Sequence, residues 1–413
     1  MNEKGMYSNY RWLVLLAGCV AILSAYTNMI VYAPILGEIA KDLKIGMGPA
    51  TNLMMAFVLA TAFVLIWGGV VCDKYGITVA LVLGLLCASV PAVLMPWIGH
   101  NYGVVLFFRL IQGASVGFIF ATIGPITALW FPQRELGLSG GILLGGISIG
   151  SALGVVASPA LFGAVASWQT TVAICSIPGW IGILLALLIT RRPPSPEVAK
   201  GLMEAMKSQA GEVTFSKALT LPMTWICSFI VFFNAWVFYC LINLVPPYLA
   251  AKTPMGLGFG PATAGAISLA LTIVGIFAPL VGGIFFDKAG KGNPRPNVII
   301  GFILSGFFTY LVLTSPVYGS MGLLVICLMI AGWGIPFMLP ALSAFIAMNY
   351  PPSIVGRMVG FCFGFGTFGG ALGLYLGGMT IGKLGTFFWA IAMISIAAII
   401  GFILSFFLKS RKV

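Results

Sequence analysis

Gly69-Val70-Val71-Cys72-Asp73-Lys74-Tyr75-Gly76 closes a long apolar run, and the same figure returns as Gly283-Ile284-Phe285-Phe286-Asp287-Lys288-Ala289-Gly290. Each copy sets a glycine, then an aspartate, a lysine and a final glycine between two apolar stretches. Such a turn suits a chain that leaves a membrane and re-enters at once, because glycine tolerates the backbone conformations a tight reversal needs. Two copies imply two equivalent halves.

The chain around these turns has 413 residues, 60% of them hydrophobic and 7% charged. An ordinary soluble domain carries about 25% charged residues, so a soluble globule is excluded. At roughly 20 apolar residues per helical crossing there is room for about a dozen crossings. The runs are long and continuous, unlike the short alternating segments of a barrel, so the predicted class is all-α integral membrane. The net charge of +12 does not point to nucleic acid. The basic residues stand singly at the ends of apolar runs and form no stripe on a polar domain. None of the eight cysteines forms a CxxC pair, and all but Cys72 lie inside apolar runs, where they read as small core residues. No metal and no cofactor is expected. The first run is too long for a cleavable signal peptide.

Twelve apolar runs lie between charged or Gly/Pro/Asn breaks, near residues 11–36, 49–71, 77–98, 103–131, 137–162, 170–190, 223–249, 262–286, 298–314, 321–348, 358–381 and 385–408. After the sixth, the chain from Arg191-Arg192-Pro193-Pro194 to Lys217 is hydrophilic and reads as a linker, with a short surface helix expected near residues 198–209. The expected units are therefore residues 1–192, a linker at 193–217, and residues 218–413. With the N-terminus inside, sixteen Lys and Arg residues fall inside and only Lys41, Lys44, Lys252 and Lys383 outside. That bias predicts both termini and the linker in the cytoplasm.

The repeat extends beyond the turns. Trp130-Phe131-Pro132 precedes the fifth run as Asn349-Tyr350-Pro351 precedes the eleventh, and Gly137, Gly145, Gly150 and Gly154 fall on Gly356, Gly364, Gly369 and Gly373. Both runs carry small residues at four-residue spacing: Gly146, Gly150 and Gly154, then Gly369, Gly373 and Gly377. In lipid, such faces let helix backbones approach closely. They serve either as sliding contacts between the halves or as static packing within each.

The aspartate turns, the linker position, the glycine runs and Arg109-Leu110-Ile111-Gln112-Gly113 in the fourth run together resemble the major facilitator superfamily of transporters. The resemblance covers nearly the whole chain. It implies two pseudo-symmetric six-helix bundles that alternate access to a central cavity lined by the first, fourth, seventh and tenth helices. It also implies a cytoplasmic gate at Asp73, Lys74, Arg134, Asp287, Lys288 and Arg357. The fifth run is similar to the family's antiporter signature but lacks its Gly-Pro pair; Ser158-Pro159 stands a little later.

All nine acidic residues fall in loops or at run ends, and His100 sits in a short turn. Arg109 alone lies well inside a run, about 12 Å deep in a core about 30 Å thick. A buried arginine costs on the order of 3 kcal/mol on insertion scales, so it must find acceptors. With no carboxylate in the runs, these are backbone carbonyls, side-chain amides and hydroxyls, water, or an incoming anion. Two roles stand open: a structural arginine bonded to the first helix, or the countercharge of a substrate, for which guanidinium suits bidentate carboxylate recognition. Further candidate substrate contacts are Gln112, Asn28, Tyr32, Asn234, Trp236, Tyr239, Asn243 and Trp333.

No carboxylate or histidine is placed to relay a proton. The expected activity is therefore secondary transport of a small organic anion of monocarboxylate type, by exchange or with a proton carried by the substrate. The alternative is export of neutral or amphipathic compounds, for which 31 Phe, 10 Trp and 18 Met offer an adaptable lining. An enzyme is not expected, since no reactive cluster is present. The expected partners are the anionic solute and lipid, with no nucleic acid and a monomeric carrier. The lack of an Asn-x-Ser/Thr sequon and the short external loops suit a bacterial inner membrane.

Overall fold

The computed structural model describes residues 9–132, 135–192, 214–350 and 352–409. Among them every regular element is helical. Eleven helices are long and apolar enough to cross a membrane: α1 (Arg11–Ile30), α2 (Met47–Cys72), α3 (Lys74–Ile98), α4 (Tyr102–Trp130), α5 (Leu138–Val165), α6 (Trp168–Ile189), α7 (Pro222–Ala250), α8 (Gly260–Lys288), α10 (Met321–Asn349), α11 (Ile354–Leu384) and α12 (Phe388–Ser405). The shorter apolar helix α9 (Arg295–Leu311) has 17 residues, about 25 Å of rise. Most of the expected linker, including its surface helix, lies outside the described residues. Its described end begins at Thr214, whose hydroxyl caps the short helix Phe215–Leu219.

Local chemistry sets the helix ends. Asn101 Oδ1 accepts from the amides of Gly103 and Val104 at 2.8 and 3.4 Å and starts α4. Ser167 does the same for α6 after Ala166 turns the chain at φ 52°. The first helix was expected to reach Leu36, but it stops at Ile30 and a separate short helix, Leu36–Asp42, follows. Pro34 cannot donate to a continuing ladder. The Ile30 carbonyl accepts from the Ala33 amide at 2.9 Å, and that of Val31, past the helix end, from Ser158 Oγ of α5 at 2.6 Å.

The two aspartate turns differ in execution. In the first copy the reversal falls on Gly76, in the opening turn of α3, at φ 86° and ψ 171°, a region open essentially to glycine. In the second copy α8 runs through Asp287 and Lys288, and the positive φ angles fall later, on Lys291 (50°) and Gly292 (74°).

The glycines at four-residue spacing turn out to pack within each set of six helices, whereas the repeat-related Gly364 of α11 meets Ala62 and Ile66 of α2. A Cβ on Gly150 would stand 2.3 Å from the Leu23 carbonyl oxygen of α1, and one on Gly369 would stand 2.1 Å from the Phe232 carbonyl oxygen of α7. Gly154 and Gly373 repeat this against Ile30 of α1 and Trp236 of α7. The sliding role is thereby corrected: α5 seals against α1 as α11 seals against α7. Other glycines bring the first six helices against the last six. Gly48 of α2 meets the backbone of Gly378 and Gly382 in α11, and Gly265 of α8 meets the Val155 carbonyl of α5.

On the face that carries the α1–α2 connection, called the far face below, residues 24–36 and 239–249 are buried without interruption. That end is closed. The opposite, basic face carries Arg11, Lys74, Arg192, Lys288, Arg357 and Lys409.

Candidate functional site

Arg109 is fully buried at the centre of the first six helices. Its Nε donates to the Leu53 carbonyl of α2 at 2.9 Å. One terminal nitrogen donates to the Asn28 carbonyl and to Gln112 Oε1 at 3.0 and 3.1 Å, and the other to the Met29 carbonyl at 3.1 Å. The guanidinium lies over the rings of Tyr32 and Phe57, at 4.3 and 4.6 Å from their centroids. It therefore ties α1, α2 and α4 together.

Asn28 and Met29 belong to the last turn of α1, where carbonyls have no helical partner. A cation at a helix C-terminus satisfies them and meets the negative end of the macrodipole. Arg109 is thus the C-terminal cap of α1, supplied from α4. Four of the five guanidinium donors are engaged on protein oxygens. A two-point grip on a carboxylate would require releasing the α1 carbonyls. The fork is occupied, while the unit charge remains.

Unused polar capacity surrounds this cap. Among the described residues Asn28 Oδ1 is buried without a hydrogen-bond partner, and Gln112 Nε2 and Tyr32 Oη are buried with no partner beyond each other's side chains. The Gln112 side chain lies against Tyr32. Tyr32 also faces Trp168, with ring centroids 6.2 Å apart, and Trp168 Nε1 and Gln169 Nε2 donate to Asp42 Oδ2 at 2.7 and 2.9 Å. A line of contacts thus runs from the buried cation to a carboxylate on the far face.

The expected residues of α7 do not join this cluster. Asn234 Nδ2 approaches Met338 Sδ of α10 at 3.9 Å, and Asn243 Nδ2 donates to the Tyr239 carbonyl of its own helix at 2.8 Å. Trp236 turns toward α11, where a Cβ on Gly373 would meet its Nε1 at 2.7 Å. Trp333 is half-buried between buried neighbours on α10. Tyr239 interacts through its hydroxyl with Tyr26 of α1 and with Thr367 of α11. Tyr26 escapes a reading of α1 along the line of Ser24, Asn28 and Tyr32, because it points to a different side of the helix. Thr367 carried no sequence signal.

Among the gate candidates, Asp287, Lys288 and Arg357 are exposed, and no ion pair joins them. The Lys74 ammonium lies 5.2 Å from the Tyr75 ring centroid. Arg134 and the side chain of Asp73 lie outside the described residues. On the same face Arg11 pairs with Glu135 at 3.2 Å. Tyr350, from the repeat of Trp130-Phe131-Pro132, meets Thr224 Oγ1 at 2.5 Å; burial pushes its hydroxyl up to about 12, against the opposing effect of that bond.

The model of the Major Facilitator Superfamily matches residues 18–297 and 292–413. The chain is 23% identical over 367 residues to the probable nitrate/nitrite transporter NarK2 of Mycobacterium tuberculosis, a match covering 86% of each protein. It is 24% identical over 354 residues to the quinolone resistance protein NorA of Staphylococcus aureus, covering 85% of this chain and 84% of that one. A third match, 25% identical over 197 residues, is to the probable anion transporter 4, chloroplastic, of Arabidopsis thaliana; it spans 44% of this chain and 37% of that protein.

Proposed function

Because the chain belongs to the Major Facilitator Superfamily and is a multi-pass membrane transporter, we propose that its cargo is a small anion, of monocarboxylate size or smaller. The observation that carries this reading is the charge of Arg109, buried in the spans and bonded to no carboxylate among the described residues. Bonds to neutral carbonyls satisfy its donors without cancelling its charge. At about 8–10 Å and an effective dielectric near 20, that charge favours a monovalent anion by about 2 kcal/mol.

In this reading Arg109 acts mainly through its field. Gln112, Tyr32 and Asn28 supply polar contacts from the first bundle. Asn234, Trp236, Tyr239, Asn243 and Trp333 supply the opposite wall once the bundles move apart. The bundles are residues 1–192 and 218–413, joined by 193–217, with twelve crossings in all. The positive-inside bias puts the basic face in the cytoplasm of a bacterial inner membrane. Alternating access is then rocking about the α2–α11 and α5–α8 seams, with Asp73, Lys74, Arg134, Asp287, Lys288 and Arg357 acting at the cytoplasmic gate. Among the described residues no acid or histidine is buried, so coupling is by anion exchange or by a proton borne on the substrate. The carrier works as a monomer, without a cofactor and without enzymatic chemistry.

Export of neutral or amphipathic compounds is the second reading. It is favoured by the likeness to NorA along most of both chains. Counterflow in proteoliposomes separates the two. Compact inorganic anions, monocarboxylates and neutral amphipathic dyes are offered to the wild type and to Arg109→Gln. Anion counterflow that drops at least tenfold in the variant supports the proposal. Dye transport alone, indifferent to the substitution, overturns it.

A further inference from the structure

Two of the eight cysteines meet near the basic ends of α7 and α11. These helices run parallel: a Cβ on Gly366 would stand 2.4 Å from Val231 Cγ1, one on Gly373 2.6 Å from Cys240 Sγ, and one on Gly377 3.0 Å from Leu244 Cδ1. Cys227 and Cys362 lie one turn before Val231 and Gly366 and share that close approach. Their side chains are hydrogen-bonded to each other, and both are fully buried. Ser228 Oγ donates to Cys362 Sγ at 3.4 Å. The group sits in the second turn of α7, about 8 Å from its start at Pro222. One turn nearer the basic face, Thr224 meets the Tyr350 hydroxyl.

The surroundings narrow what the pair can do. A tetrahedral metal takes four ligands, and among the described residues no group of three His, Cys, Asp or Glu side chains could hold one. Two thiolates on a soft monovalent cation would leave a net negative charge in hydrocarbon, which is costly. A disulfide is neutral. The sulfurs are also unequal: a thiolate at Cys362 accepts from Ser228 Oγ and from the Cys227 thiol, and two donors favour the charged form there. Cys362 is therefore the nucleophile and Cys227 the thiol that resolves it.

The geometry points to an oxidation site: Cys362 and Cys227 form a disulfide that fastens α11 to α7, with hydrogen peroxide as the oxidant. The Cys362 thiolate attacks one peroxide oxygen, the O–O bond breaks, and hydroxide leaves as water with the proton Cys362 gave up. The Cys227 sulfur then attacks the sulfenic sulfur, the S–O bond breaks, and the hydroxyl departs as a second water with the Cys227 proton. Two electrons pass from the thiols to peroxide. Burial selects the oxidant, since peroxide is small and neutral while glutathione disulfide is bulky and charged. The consequence reaches the seam. Cys362 stands between Gly360 and Gly364, where a Cβ would lie 3.5 Å from the Leu65 carbonyl oxygen and 2.5 Å from Ile66 Cγ1 of α2. Bonded sulfurs are closer than thiols in contact, so oxidation draws α11 toward α7 and away from α2. None of this depends on the cargo.

The test uses the purified full-length protein in nanodiscs, as wild type, Cys227→Ser, Cys362→Ser and Ser228→Ala. Each is treated with hydrogen peroxide or with glutathione disulfide, free thiols are alkylated, and linked peptides are identified by mass spectrometry without reduction. Peroxide is expected to join Cys227 to Cys362 in the wild type, and Ser228→Ala to slow the link about fivefold, the usual worth of one hydrogen bond. Dimedone is expected to trap a sulfenic acid on Cys362 in Cys227→Ser and none on Cys227 in Cys362→Ser. Hydrogen exchange in the α2 peptide holding Ala62 and Ile66 should rise about twofold on oxidation and fall back with dithiothreitol. No link under peroxide overturns the site, and a link formed as fast by glutathione disulfide overturns the choice of oxidant. Trapping on Cys227 alone overturns the assigned roles. A link that leaves exchange in α2 unchanged overturns the coupling to the seam.

Discussion

Replacing Arg109 by lysine and by glutamine separates its two roles, because the substitutions rank in opposite order for stability and for transport. Glutamine removes the charge. It leaves the last-turn carbonyls of Asn28 and Met29 without their donor, while the Leu53 carbonyl lies inside α2, where its own helix supplies a donor. Two orphaned carbonyls cost about 2–6 kcal/mol together. The variant recovers about 3 kcal/mol, the cost of holding a cation in hydrocarbon. The net change runs from a gain of about 1 kcal/mol to a loss of about 3 kcal/mol. Lysine keeps that cost and gathers its donors on one atom, which cannot span oxygens on three helices. Losing two of the four bonds costs about 3–6 kcal/mol at the value usual for charged donors. Arg109→Lys is therefore the less stable protein.

Transport runs the other way. Lysine preserves the field at the cleft and glutamine abolishes it. The estimate of about 2 kcal/mol corresponds to roughly 30-fold in apparent anion affinity. The expected result is a lower unfolding midpoint for Arg109→Lys than for Arg109→Gln in nanodiscs, together with a higher counterflow affinity for Arg109→Lys in proteoliposomes. If both quantities fall in the same order, the guanidinium serves only as a cap and no charge is sensed by the cargo. Wild-type affinity in Arg109→Gln would refute the field argument outright.

Three further outcomes follow from packing. Gly113→Ala places a Cβ 2.0 Å from the Phe57 carbonyl oxygen, which must lever α4 from α2 and stretch the 2.8 Å bond from Thr61 Oγ1 to the Gly113 carbonyl. A loss of about 3 kcal/mol is expected, and an unchanged unfolding midpoint contradicts this close approach. Gly48→Ala meets backbone at 2.7 Å from the Gly378 oxygen and 3.0 Å from the Gly382 Cα, so it penalises the closed far face by about 1–3 kcal/mol. A Val245→Cys reporter in a cysteine-free background should then react at least fivefold faster with an impermeant thiol reagent added at that face; no acceleration means the contact does not hold the face shut. Asp42→Ala leaves Trp168 Nε1 and Gln169 Nε2 without the oxygen they share, and the exposed setting limits the loss to about 1 kcal/mol. Blue-shifted tryptophan emission with no change in midpoint counts against that bridge.

The helical class was legible because the length and apolarity of a run are local properties, and the aspartate turns announced the duplication. The second turn was less so: nothing in Asp287-Lys288-Ala289-Gly290 tells that the reversal waits for Lys291 and Gly292. Four-residue glycine spacing declares that a face is small, not which helix lies on it. That α5 meets α1 and α11 meets α7 is a property of the assembled bundle. Cys227 and Cys362 were passed over for a similar reason, since two cysteines in separate apolar runs look like small core residues until the bundle brings their sulfurs together.

Arg109 shows where the division falls. Charge balance adds up along a sequence, so a cation with no buried acid is visible from composition and position alone. Donor satisfaction does not add up, because the oxygens that answer Arg109 are mostly backbone carbonyls, which every residue carries. The end of α1 at Ile30 created two of those acceptors, and Pro34 was its only hint. A guanidinium whose bonds are complete and whose charge is not balanced can still be sensed through its field by a cargo it does not grip, and a carrier that must release its cargo on every cycle gains from attraction without a fixed bond.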